Sequence, residues 1–139
     1  MRVAVIDGQG GGIGKLIVEK MRKVLPEIEI IALGTNALAT SLMLKAGANE
    51  GASGENAIKV NAPRVDVIVG PLSILVSNSM LGELTPAMAA AIAESDALKL
   101  VLPLTRSKIQ VIGAGSEPLP HQVDLLMQRL QNILVDRAK

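Results

Sequence analysis

Apolar and polar positions follow two alternating patterns along this chain. Short runs that are apolar at nearly every position are separated by stretches with apolar residues three and four apart. Residues 2–6 are apolar throughout after Arg2, as expected of a parallel strand buried on both faces. Ile13, Leu16, Ile17, Met21, Val24 and Leu25 then recur at helical spacing, and Pro26 ends that helix. Residues 28–33 predict a second strand. Thr35 or Asn36 caps a helix over 37–46, which Gly47 closes. A short strand over 49–53 and a short helix from Gly54, broken by Pro63, come next. Residues 65–69 predict a strand that ends in Gly70-Pro71. Residues 72–84 have no clean period and read as a short helix and a loop. Thr85-Pro86 sets an N-cap residue before a first-turn proline and opens a helix through residue 94. Residues 98–104 and 109–112 predict two more strands. Apolar residues at 123, 126, 127, 130, 133 and 134 share one face of a final helix.

Strands alternating with helices at this spacing predict βαβ units on a mainly parallel sheet. The 139 residues make one domain, with a possible handover near residues 113–120 to the C-terminal helix.

Composition narrows the chemistry. The chain is 49% hydrophobic but has no Phe, Tyr or Trp. The core is therefore aliphatic, helped by six Met, and no base can stack on an aromatic ring. Without Tyr or Cys there is no phenol acid, no thiol nucleophile and no thiolate metal site. The single His, His121, reads as a surface or capping residue and cannot hold zinc alone. With 14 basic and 13 acidic residues spread along the chain, there is no basic stripe to meet nucleic acid. No apolar run reaches the roughly 18 residues of a membrane span. Asp7 and the glycines after it interrupt the first apolar stretch, so no signal peptide is expected and a cytoplasmic protein is. Mean hydropathy is high at +0.41, which leads us to expect a homo-oligomer with buried subunit contacts.

The richest segment is Asp7-Gly8-Gln9-Gly10-Gly11-Gly12-Ile13-Gly14-Lys15. A strand breaks into five glycines and a helix starts at once. Free N–H groups and the positive end of a helix dipole make such a junction an anion site. The spacing is not a P-loop: Gln9 stands where its first glycine belongs, and Leu16 follows Lys15. Gly8 to Gly14 fits G-x-x-x-G-x-G and resembles the glycine motif of short-chain dehydrogenases and reductases. That resemblance implies a Rossmann-like domain. Gly8 would then allow a sharp exit from the strand, Gly12 a close approach to pyrophosphate, and Gly14 tight helix packing. The family's Tyr-x-x-x-Lys pair is absent, its asparagine motif is replaced by Val69-Gly70-Pro71-Leu72, and the chain is far shorter than such enzymes. The second strand ends in Leu33-Gly34-Thr35-Asn36. Without a carboxylate there to repel a 2′-phosphate, NADP is favoured over NAD, with Thr35 and Asn36 as contacts that also serve as helix caps.

Nearly the whole chain is also similar to a bacterial family catalogued as a domain of unknown function. The strings that carry this are D-G-Q-G-G-G-I-G-K (7–15), A-L-G-T-N-A-L-A-T (32–40), G-E-N-A-I (54–58) and S-M-L-G-E-L-T-P-A-M-A (79–89).

Three carboxylates are weak catalytic candidates. Asp7, at the mouth of the first strand, would accept loop N–H groups, hold Mg²⁺ or act as a base. Glu55, beside Asn56, either meets a ribose or complements a helix dipole. Glu83 lies with Ser77, Asn78 and Ser79 in a stretch that would line a pocket or a subunit interface. A serine nucleophile is not expected, because no G-x-S-x-G elbow exists. Lys15 reaches a phosphate or is simply solvated, and Thr105-Arg106-Ser107-Lys108 either supplies cations or forms a turn between two strands. The expected fold is a three-layer α/β Rossmann-like domain. The expected function is binding of NADP(H) or another phosphate-bearing nucleotide by residues 8–15, 35–36 and 70–71, as a sensor or regulator. The alternatives are a small enzyme with its site completed at a subunit interface, and a structural module without nucleotide.

Overall fold

A computed structural model of the chain describes residues 1–104 and 108–139. Among them run β1 (Arg2–Asp7), α1 (Gly12–Val24), β2 (Glu29–Gly34), α2 (Ala37–Ala46), β3 (Glu50–Ser53), α3 (Glu55–Asn61), β4 (Val67–Pro71), α4 (Pro86–Glu94), β5 (Leu98–Leu102) and α5 (Leu119–Arg137). The strands form one parallel sheet in the order β3-β2-β1-β4-β5. Helices cover both faces, so the architecture is a three-layer, Rossmann-like α/β fold.

The period of two along each strand sorts the core into two halves. Val3, Val5, Ile30, Ala32, Val67 and Val69 face α1 and α5, with Met43 of α2 beside them. Ala4, Ile6, Ile31, Leu33 and Ile68 face α3 and α4. Both halves are filled by aliphatic side chains and Met, as a chain without aromatics requires. Burial on both faces is why β1, β2 and β4 read as unbroken apolar runs. The final helix keeps its expected stripe: Val123, Leu126, Met127 and Leu130 are buried against the α1 side.

Two expectations change. Residues 109–112 form no strand, and β5 stops at Leu102. Their β-branched side chains have strand propensity, but propensity acts through packing on a paired neighbour. Ile109, Val111 and Ile112 are instead exposed in an irregular segment. Residues 72–84 contain two 3-10 turns, Leu72–Leu75 and Met80–Gly82, with α4 opening where Thr85 caps it. Of the Thr105–Lys108 loop, Thr105, Arg106 and Ser107 lie outside the described residues, and Lys108 is exposed.

At the end of the sheet away from the glycines, Arg22 ties two connections together, the one between α1 and β2 and the one between α2 and β3. Its guanidinium donates to the carbonyls of Gly47, Pro26 and Ile28, each at 2.9 Å, and to Asn49 Oδ1 at 2.8 Å. Asn49 Oδ1 also accepts the Ile30 N–H at 2.8 Å. A lysine lacks this fork and cannot reach all four acceptors. Arg22→Lys is expected to lower stability by about 1–3 kcal/mol, read as a lower urea midpoint by circular dichroism with an unchanged slope.

Candidate functional site

Asp7 follows Val3 and Val5 on the alternation of β1 and so points toward α1. It is 4% exposed. Its Oδ1 accepts the Gly8 N–H at 2.8 Å and its Oδ2 the Gly14 N–H at 2.7 Å. The residue preceding α1, Gly11, sits in the left-handed region at φ 72° and has no side chain to cap the helix. Asp7 does that from the strand, satisfying one of the orphan donors of the first turn. Burial pushes its carboxyl pKa up; the N–H groups of Gly14 and Gly8 pull it down, and the charge of Glu83 adds to the upward push.

The loop's donors can be followed one by one. Gly8 and Gly14 give theirs to Asp7, Gly11 donates to the Gly8 carbonyl at 2.9 Å, and Gln9 donates to Glu83 Oε1 at 2.9 Å. The N–H groups of Gly10 and Gly12 meet no acceptor among the described residues.

The glycines divide the same way by space. A Cβ on Gly8 would strike the Thr35 hydroxyl and lie 2.5 Å from Met80 Sδ. On Gly11 it would lie 2.8 Å from Ala39 Cα, and on Gly14 2.6 Å from Met43 Sδ and 2.9 Å from Asp7 Cβ. These three are glycine because the fold needs the room. At Gly10 and Gly12 a Cβ would meet nothing within 4 Å, and neither has a left-handed φ. Folding gives no reason for glycine there. Gly12 opens α1, where alanine is favoured by about 0.5–1 kcal/mol in a helix interior.

The open space is a cavity of about 870 Å³. Asp7 and residues 8–13 form one wall, Pro71 at the end of β4 and Ser73 in the turn after it the next, and Asn78–Leu81 another, with Leu104 and Leu119 completing it. It lies beyond the carboxyl ends of β1 and β4, where the strand order reverses, and open α/β sheets bind ligands at that place. Backbone strain collects around it. The four non-glycine residues with positive φ among the described residues are Gln9 (48°), Asn78 (65°), Met80 (58°) and Leu81 (56°), and all four line the cavity. Such conformations cost energy and cluster at binding sites and switches. Leu81, at the tip of that wall, is 97% exposed.

Glu83 holds the strained wall to the glycine loop. Besides the Gln9 N–H, its Oε1 accepts the Thr35 hydroxyl and the Asn36 amide, both at 2.7 Å. Asn36 also donates to the Gln9 carbonyl at 3.0 Å and, as expected of a cap, accepts the Ala39 N–H at 2.8 Å. Burial raises the Glu83 pKa, but the bonds from Thr35, Gln9 and Asn36 outweigh it and hold the carboxyl below its ordinary 4.5.

The structure therefore brings Asp7, the loop from Gly8 to Ile13 and Pro71 to the cavity, while Thr35, Asn36 and Glu83 lie outside its lining and connect to it through Gln9. It does not bring Glu55 in: that side chain is exposed on the first turn of α3 and accepts the Thr85 hydroxyl at 2.6 Å. Lys15 turns outward to Glu19 at 3.9 Å, because its helix position faces solvent. Gly70 lies outside the lining; a Cβ there would stand 2.5 Å from the Ile6 carbonyl, so its role is close strand contact. His121 is exposed. No group of three or more metal-ligating side chains occurs among the described residues. Sequence reasoning missed Ser73, Met80, Leu81, Leu104 and Leu119, since residues in irregular segments or at the very start of a helix carry no periodic signal. It also took the end of β2 to lack a carboxylate, whereas Glu83 reaches it from the loop before α4.

The family model DUF3842, described as a domain of unknown function, matches residues 2–135, and the chain belongs to that family. No curated protein matches the chain. No helix among the described residues is long and apolar enough to cross a membrane.

The two carboxylates impose opposite pH dependence. Glu83, with a lowered folded pKa, contributes stability that is full above 4.5 and is lost as pH falls through the folded value. Asp7, with a raised folded pKa, contributes stability that is full below 3.8 and is lost as pH rises through the folded value. Glu83→Gln is therefore expected to be less stable than the wild type at pH 6, with the gap closing as pH falls below 4.5; urea midpoints along that range measure it.

Proposed function

Given membership of a domain family of unknown function, we propose that the chain binds a phosphate-bearing nucleotide as a sensor or regulatory binder. The phosphates sit against Gly10 and Gly12. The observation that carries this reading is a coincidence of two properties at the two exposed glycines of the loop. The two glycines with uncommitted N–H groups are also the two whose side-chain space is empty and faces the cavity. An anion accepting charge-assisted bonds from those donors explains both at once. The rest of the site fits. The cavity is large enough for a nucleotide, it lies at the reversal of strand order, and its walls are held by a capped carboxylate and a strained loop.

Binding is favoured over catalysis because the buried carboxylate is spent on structure. Both oxygens of Asp7 hold N–H groups that fix the loop, which makes Asp7 a positioning residue. The enzyme alternative would need Asp7 or Glu83 to exchange protons with a bound substrate, and either would first release donors that shape the site.

The test is titration of the purified protein into NADPH and NADH, followed by the cofactor's own fluorescence, with ADP as competitor. The chain has no aromatic side chain to overlap that signal. Saturable binding is expected, and Gly12→Ala is expected to weaken it at least about tenfold while leaving stability unchanged or slightly higher. A Gly12→Ala protein that binds as the wild type does, or a wild type that binds none of these, would overturn the reading.

A further inference from the structure

Nucleotide sites on this fold take the ribose with an acidic side chain at the end of the second strand, whose oxygens accept from the sugar hydroxyls. Here β2 ends in Gly34 and is followed by Thr35 and Asn36, which offer no carboxylate. The fold supplies one from the loop before α4. Glu83 Oε1 takes the Thr35 hydroxyl, the Asn36 amide and the Gln9 N–H together, which fixes the carboxylate between the end of β2 and the glycine loop. Its Oε2 accepts nothing from the described residues and is not buried. A carboxylate with one oxygen saturated by three donors and the other open is held in place as an acceptor.

We infer that Glu83 selects the sugar: its Oε2 accepts from the ribose hydroxyls of the bound nucleotide, and its fixed charge excludes a 2′-phosphate. This rests on the nucleotide reading above and narrows it to nucleotides with an unmodified 2′-hydroxyl. A second negative charge at hydrogen-bond distance from the carboxylate is strongly unfavourable, and the donors on Oε1 keep the carboxylate ionised near neutral pH. Glu83 stands just outside the cavity lining, bonded to Gln9, which lines it, and its own loop supplies Asn78–Leu81 to the cavity, so a ribose at Glu83 is continuous with phosphates on the glycine loop.

Fluorescence titration of the wild-type protein with NADH and with NADPH tests it. NADH is expected to bind at least about tenfold tighter. In Glu83→Gln the preference is expected to fall to within about threefold, because the amide keeps the size and loses the charge. A residue that only latches the loop would change stability and leave the ratio alone. A wild type that binds NADPH as tightly as NADH, or a Glu83→Gln protein with an unchanged ratio, would overturn the inference and leave the nucleotide reading standing. Binding of neither cofactor, nor of ADP, would overturn both. Should Glu83→Gln fail to fold by circular dichroism, competition on the wild type decides: ADP is expected to outcompete adenosine 2′,5′-bisphosphate, and the reverse order would overturn the inference.

Discussion

The carboxylate of Asp7 is the constraint on which the candidate site depends. A strand must turn into a helix within a few residues, and the helix begins on a residue without a side chain. Burying an acid there is costly unless its oxygens are paired. Pairing them with the two ends of the loop draws Gly8 and Gly14 onto one side chain and closes the turn. The remaining donors are then fixed in direction before any ligand arrives. The same arrangement explains the crowding at Gly14, whose hydrogen atom is all that fits against Asp7 and Met43.

The opposite wall is built on a different principle. The segment after β4 has no long helix or strand to shape it. It is held by single side chains: Ser79 donates to the Ser73 carbonyl at 2.6 Å, and Glu83 anchors the far end to the glycine loop. Three of its residues adopt left-handed backbone that side chains ordinarily avoid. One wall is thus a rigid strand-to-helix junction and the other a strained loop fastened by one carboxylate. On the proposed reading, the phosphate position is fixed and the sugar position depends on a single ionised group.

Legibility in the sequence followed the physics of each segment. Central strands and amphipathic helices announce themselves because burial imposes a period. Residues 2–6, the α1 stripe and the α5 stripe were readable for that reason, and Thr85-Pro86 because a cap and a first-turn proline act locally. The glycine loop is legible as a strand-to-helix junction, but which glycines serve the fold and which face open space depends on neighbours such as Ala39 and Met43. Residues 109–112 misled because propensity does not reveal whether a partner strand exists. The end of β2 misled more instructively: a local reading found no acid near Thr35, while the acid stands 48 residues along the chain. Local patterns do not carry contacts of that span.

The strand order has a consequence for how the chain assembles. β1 lies at the centre of the sheet, with Val3 paired to Ile30 on one side and to Val67 on the other. The α1, β2 and α2 segments follow it at once, so one flank forms from near neighbours. The other flank waits until the whole of α3 and the turn after it have been made. A ribosome therefore exposes β1, whose Val3, Ala4, Val5 and Ile6 are fully buried in the finished sheet, with one edge open for much of synthesis. Contacts of long sequence separation form late, and open apolar edges invite association with other chains. The centre of the finished sheet is thus the part most exposed to misassembly while the protein is being made.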